Sequence, residues 1–252
     1  AENAGSEWGD EAPFDGFAFD PPYGRNSWKT DDGWDLFRAT LSACAALAAP
    51  KANLVTLLPW QFFVTSLTGA TRAITSNSSL VTKIYFPRWV LPTSAVLARF
   101  ITLLVEMAVL LVVIALWEGH IAFQWIPVVL ALMVLQLLFT VGLALMISAA
   151  NVYFRDIQHF LNVALQPWMF LTPILYPLNL VPSDREFLGV SYRTLYQLNP
   201  MVSWAKAYRN VLYDLRFPSL ERWLAIVAAT GIVLAIGFRV FNRLEPRMAE
   251  EV

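Results

Sequence analysis

Ile126–Ala150 reads IPVVLALMVLQLLFTVGLALMISAA, a long run without a single charged side chain. A helix rises 1.5 Å per residue, so about 20 mostly apolar residues cross a hydrocarbon core about 30 Å thick. Backbone groups in lipid have to be satisfied within the segment, which makes helix the expected state for a run of this length. The fold class follows from it: an all-α polytopic membrane bundle.

Four further stretches meet or approach the same criterion. Leu54–Thr71 carries no charge, and Ser94–Trp117 holds Arg99 near one end and Glu106 near its middle. Phe160–Val181 is uncharged but interrupted by Pro167, Pro173 and Pro177, and Trp223–Phe238 is uncharged up to Arg239. About five spanning helices are therefore expected. Between the last two, Pro182–Arg222 holds Tyr192, Tyr196, Trp204, Tyr208 and Tyr213 among apolar residues. Its Asn199-Pro200 pair signals a turn and a new helix start, so short external re-entrant helices are expected there. The proline breaks in Phe160–Val181 free backbone carbonyls and point to a cavity or a bend.

Lysine and arginine in short loops set the orientation. The Ser76–Pro92 loop contains Lys83 and Arg88 with no acid, whereas Glu118–Trp125 has neither Lys nor Arg. Arg155 marks the next turn, and Arg243 and Arg247 follow Phe241. Alternation places the Lys83 loop, the Arg155 turn and the C-terminus in the cytoplasm, with Lys83 and Arg88 both exposed. The basic residues of Pro182–Arg222 then fall outside, against the trend.

The composition agrees with a membrane class: 57% of residues are hydrophobic and 15% charged, against about 25% charged in soluble domains. Ten Trp and eight Tyr suit segments that cross headgroup layers. A net charge of −1 offers no basic field for nucleic acid, and the single cysteine, Cys44, allows no intrachain disulfide. Residues 1–50 form an atypical acidic segment, disordered or interfacial, ahead of a membrane domain over 51–252. No secretory signal is legible in it, because a basic start and an apolar run are both missing. Leu36–Pro50 is too short and weakly apolar to span.

Enzyme motifs are missing. There is no GxxxxGK[ST] phosphate loop, GxSxG elbow, HExxH or paired CxxC. His120 and His159 fall on opposite sides of the expected membrane, which separates them as metal ligands. Asn77-Ser78-Ser79 matches a glycosylation acceptor but lies on the side expected to be cytoplasmic. Catalytic, cofactor-binding and metal-ligating residues are accordingly none.

Two polar or aromatic features stand out within the spans. Glu106 at mid-membrane costs about 2.5–3.5 kcal/mol, so it needs water, protein or a partner. Arg99, seven residues earlier, shares its face. A place on a polar pathway and a structural role are both open. Trp60, Phe62 and Phe63 in one span, and Trp168, Phe170 and Tyr176 in another, read either as interface anchors or as stacking platforms for sugar rings.

Four stretches carry a resemblance in their order and spacing. They are LLPWQFFVTSLTGATRAITSNSSLVTKIYFPRWVLP (Leu57–Pro92), ISAANVYFRDIQHFLNVALQPWMFLTPILYP (Ile147–Pro177), LNPMVSWAKAYRNVLY (Leu198–Tyr213) and FRVFNRLEPRMAEEV (Phe238–Val252). From about Leu54 onward the chain resembles the permease subunit of type-2 ATP-binding-cassette exporters for bacterial surface polysaccharide. O-antigen, capsule and teichoic acid exporters belong to that family. The resemblance implies an ATPase-coupling loop at Lys83, Tyr85, Phe86, Pro87 and Arg88. It implies a cytoplasmic turn at Asn151, Tyr153, Phe154, Arg155 and Asp156, and an external gate at Asn199, Pro200, Tyr208 and Arg209. Trp60, Phe63, Trp168 and Tyr176 become the candidate glycan path, with Arg99 and Glu106 as intramembrane polar groups. The implied partners are an ABC ATPase that binds the ATP, a second permease copy, membrane lipid and a lipid-linked polysaccharide. The implied place is the bacterial inner membrane, multi-pass. Family members begin with a basic interfacial helix and a first span, which residues 1–50 do not supply. Export of a drug or lipid, and a truncated permease that does not transport, are the alternative readings.

Overall fold

A computed structural model describes residues 52–84, 86–118, 123–174, 186–187, 190–191, 196 and 199–248. They belong, apart from the first turn of one helix, to the compact unit Val55–Val252. Residues 1–50 with Cys44, and Tyr85, His120, Tyr176 and Pro177, lie outside the described residues.

Helix α1 (Ala52–Ala73) is followed by a 3-10 turn (Thr75–Asn77) and the short α2 (Ser78–Lys83). Then come α3 (Val90–Glu118), a second 3-10 turn (Phe123–Trp125), α4 (Ile126–Tyr153) and α5 (Ile157–Phe170). A two-residue antiparallel pair, Glu186–Phe187 with Val190–Ser191, precedes α6 (Pro200–Leu212). Hydropathy carries no signal for that pair. Last are α7 (Leu220–Leu244) and a 3-10 turn at Glu245–Arg247.

Among the described residues, α3, α4 and α7 are long and apolar enough to cross a membrane. At 1.5 Å per residue α1 reaches about 33 Å, but it carries Gln61, Thr65, Ser66, Thr68 and Thr71. The hydroxyls of Thr65, Thr68 and Thr71 donate to carbonyls four residues back, at 2.8, 2.9 and 2.6 Å, which satisfies them without water. Helix α3 starts at Val90, earlier than the apolar run, because Pro92 falls in its first turn, where a missing N–H costs nothing.

The expected segment Phe160–Val181 takes a different form. Helix α5 holds 14 residues, about 21 Å, and stops at Phe170. Pro167 is accommodated within it, and the turn Leu171–Ile174 contains Pro173. That proline cannot donate to the ladder and disfavours helix at Thr172, so the chain turns there.

Helix α4 is central. Of its most apolar stretch 56% is buried, against 11% for α3 and 22% for α7, so the outer two present most of their surface outward. Their uncovered side chains are themselves apolar: Ile101, Val105, Val109 and Val112 on α3, and Leu220, Leu224, Ile232 and Ile236 on α7. Among the described residues, the seam between α4 and α7 is the most extensive helix pair. It closes at two glycines. A Cβ on Gly142 lies 2.8 Å from Leu234 N and Cα, and one on Gly237 overlaps the Gly142 carbonyl oxygen. The backbones therefore meet directly, the packing that small residues allow where no hydrophobic force separates helix from lipid.

Candidate functional site

A helix ends with carbonyls that no further turn can satisfy. At the end of α7 two side chains from distant elements supply donors. Arg88 Nη1 donates to the Glu245 carbonyl at 2.5 Å, and the Arg88 backbone N–H donates to Glu245 Oε1 at 3.1 Å. Tyr153 Oη donates to the Leu244 carbonyl at 2.9 Å. A cation at this helix end also opposes the negative pole of the helix dipole. Trp89 packs edge-on against Phe238, centroids 6.2 Å apart. Arg88 is thus half-buried and bonded, which corrects the expectation that it stands exposed beside Lys83. An orphan helix terminus attracts it from 157 residues away, a partner that loop composition cannot reveal.

Lys83 is exposed as expected, Pro87 is exposed as well, and Phe86 is half-buried. Arg155 and Asp156 are exposed at the turn into α5, beside an exposed Phe154. Asn151 is buried and points inward: its Nδ2 donates to the Thr71 carbonyl at 2.9 Å, tying the end of α4 to the end of α1. Below Thr71, Thr75 and Ser76 donate to the Arg72 carbonyl and Asn77 Nδ2 to that of Ala73, which closes α1. The Lys83 loop, the Asn151–Asp156 turn and the end of α7 therefore share one end of the bundle.

The opposite end is organised by Asn199. Its Oδ1 caps α6 by accepting from Met201 N at 3.0 Å and also accepts from Trp168 Nε1 at 3.1 Å. Its Nδ2 donates to Thr172 Oγ1 at 3.0 Å. One amide thus locks the α5 break to the start of α6, with Pro200 at the first helical position, where proline is preferred. Thr56 Oγ1 donates to the Ile174 carbonyl at 2.9 Å and joins α1 to the same break.

Tyr208 is wholly buried and donates to Gln136 Oε1 at 2.9 Å, while Gln136 Nε2 donates to the Pro59 carbonyl at 2.8 Å. This chain links α6, α4 and α1 through groups that lipid could not satisfy. Burial raises the Tyr208 phenol, which keeps it a donor. Beside it, burial lowers the neighbouring Arg209, with Asp214 and then Tyr213 opposing the shift; the guanidinium stays charged all the same.

The aromatic side chains assigned to a path form a packed cluster. Trp60 and Phe63 are buried, Phe63 meets Trp168 edge-on at 5.5 Å, and Trp60 meets Trp168 at 6.4 Å. Phe63 stacks on Phe139 at 6.3 Å, and Phe139 leads to Trp204. The rings pack against one another, largely edge to face, each pair contributing about 0.5–1.5 kcal/mol. Thr56, Trp60, Thr172 and Trp204 border a cavity with room for about one water molecule, and the buried Trp204 Nε1 has no partner.

Glu106 is half-buried on α3 between the exposed Val105 and Val109, and Arg99 is exposed. Seven residues separate the two by about 10.5 Å along the helix axis.

Sequence reasoning missed Gln136, Glu245 and the two seam glycines, and it placed Tyr153 in the cytoplasmic turn without its bond to α7. A signal existed for Gln136, the lone amide in Ile126–Ala150. The others depend on partners far away in the chain.

The chain is similar to known transport proteins over most of its length. The family model described as ABC-2 type transporter matches residues 51–213. The O-antigen export system permease protein RfbA of Myxococcus xanthus is 37% identical over 208 residues, covering 81% of this chain and 76% of that protein. The O-antigen export system permease protein RfbA of Klebsiella pneumoniae is 27% identical over 195 residues, 77% of this chain and 72% of that one. With long apolar helices around a buried central one, and the family match spanning α1 to the end of α6, the chain belongs to the ABC-2 type transporter family.

Proposed function

We propose that the chain is the membrane-spanning permease subunit of an ATP-driven exporter of lipid-linked surface polysaccharide, of the O-antigen type. The observation that carries this reading is the 37% identity to an O-antigen export system permease across 81% of the chain. In it, two copies of the chain pair with two ATPase subunits, which bind and hydrolyse the ATP. The bundle end bearing Lys83, Pro87, Phe154 and Arg155 is cytoplasmic and receives the ATPase. Its mixture of exposed cations and apolar side chains suits a docking surface, and the basic loops favour the cytoplasmic side of an inner membrane.

Mechanically, Arg88 ties the coupling loop to the end of α7, and α7 is locked to α4 along the glycine seam. A push on the loop therefore reaches α4, and through Gln136 it reaches Tyr208 and the Asn199 corner. The Trp60, Phe63 and Trp168 rings are closed against each other in this conformation, so the glycan path opens by separating them.

Affinity purification of the solubilised chain from its native host tests the reading. A stoichiometric nucleotide-binding ATPase is expected, with its activity raised by lipid-linked glycan and unmoved by small hydrophobic drugs. Recovery without an ATPase, or stimulation by the drugs alone, overturns it.

A further inference from the structure

The connection from α6 to α7 folds back on the last turn of α6. Tyr213 N and Asp214 N both donate to the Arg209 carbonyl, Arg216 N donates to the Asn210 carbonyl, and Leu215 takes a positive φ of 49° to allow it. In the amide orientation that satisfies both its polar atoms, Asn210 donates to Asp214 Oδ2 at 3.2 Å and accepts from Arg222 Nη1 at 2.7 Å. Asp214 is thereby engaged by Asn210. Arg209 Nε and Nη2 are buried and have no hydrogen-bond partner.

Those two donors are a pair. Nε–H and the adjacent Nη2–H leave one edge of the guanidinium plane in parallel, the fork that matches two oxygens of a phosphate or carboxylate. Leaving a buried charged donor unmade is costly, so the fork calls for an anion. The surroundings choose its class. Lys206, Arg209, Arg216 and Arg222 stand against Asp214 and Glu221 on the described part of this corner. Phe217 bridges Trp125 and Trp223, at 6.0 and 6.4 Å, forming an aromatic cluster of the kind found at headgroup depth. Below it Leu220 and Leu224 project from α7, one helical turn apart and among the more exposed side chains of the chain. Cations at headgroup depth above an open apolar strip form the profile of a phospholipid.

We propose that the Arg209 fork, on the corner that also carries Arg216 and Arg222, holds the phosphate of a membrane phospholipid whose acyl chains lie along Leu220 and Leu224. The site needs only that the chain resides in a membrane. It does not depend on which solute is exported, so its test fails or succeeds apart from the export reading.

Native mass spectrometry of the purified full chain provides the test, with dioleoyl-phosphatidylglycerol and, as the phosphate-free probe with the same chains, dioleoylglycerol. Wild-type chain is expected to retain the phosphatidylglycerol and release the dioleoylglycerol. R209Q is expected to weaken phosphatidylglycerol retention about tenfold or more, because it removes a charged pair of bonds. R209K keeps the charge and loses the fork, and is expected to fall between the two. Inorganic phosphate at millimolar concentration should leave the lipid bound. Retention by R209Q equal to wild type overturns the proposal. If R209Q does not fold, equal retention by R209K does so. Displacement of the lipid by inorganic phosphate assigns the fork to free phosphate and overturns the lipid.

Discussion

Replacing Gly237 by alanine tests the seam on which the bundle closes. A Cβ there overlaps the Gly142 carbonyl oxygen and lies 2.9 Å from Gly142 C and Cα, all backbone atoms that no rotamer can move. Comfortable carbon contacts begin at about 3.5 Å, so relieving the carbon contacts alone parts α4 and α7 by roughly 0.6 Å, and clearing the carbonyl oxygen takes more. A gap of about 0.5–1 Å forfeits a quarter to a half of each dispersion contact, and overpacking of this kind costs about 1–3 kcal/mol. Alanine also gains about 1 kcal/mol of helix propensity over glycine, which clouds the single variant. Gly231, on the same helix, removes that term: a Cβ there meets nothing within 4 Å. Gly237→Ala should therefore be less stable than Gly231→Ala by about 1–3 kcal/mol. Thermal unfolding of both variants in one detergent reads the difference as several degrees. If the two variants unfold within about 0.5 kcal/mol of each other, the backbone contact is not what holds the seam.

Tyr208→Phe should destabilise the chain by about 1–3 kcal/mol by leaving Gln136 Oε1 buried and unpaired, measured by the same unfolding assay. Asn199→Ala should cost about 0.5–2 kcal/mol as a lost cap and expose the α5–α6 corner to limited proteolysis; Asn199→Asp, which keeps the acceptor for Met201 and Trp168, should be protected. Arg88→Ala should lower thermal stability by about 1–3 kcal/mol, because it uncaps α7. Lys83→Glu, on an exposed side chain, should unfold at the wild-type temperature yet recover less ATPase in a pull-down; undiminished recovery would remove Lys83 from the docking surface.

The break after α5 was partly legible, since Pro173 removes a ladder donor and disfavours helix at Thr172. The new start at Asn199-Pro200 was legible for the same reason: a cap and a first-turn proline act through their immediate neighbours. Arg88 was misread as exposed because loop composition carries no information about a carbonyl at Glu245. The rings of Trp60, Phe63 and Trp168 were assigned by type, and whether their faces are open or filled depends on the approach of α1 to α5.

The sequence by itself determined that the chain is a helical membrane protein. Uncharged runs such as Ile126–Ala150 leave the backbone no other way to meet its hydrogen bonds in lipid. It also marked a break near Pro173 and a new helix start at Asn199-Pro200, because proline and a capping asparagine act within a turn of their own position. Only the tertiary structure decided that α4 lies at the centre, that Gly142 meets Gly237, that Gln136 joins Tyr208 to Pro59 and that Arg88 closes α7. Each of these is a contact between groups distant in the chain, and its energy exists only once the helices have been brought side by side.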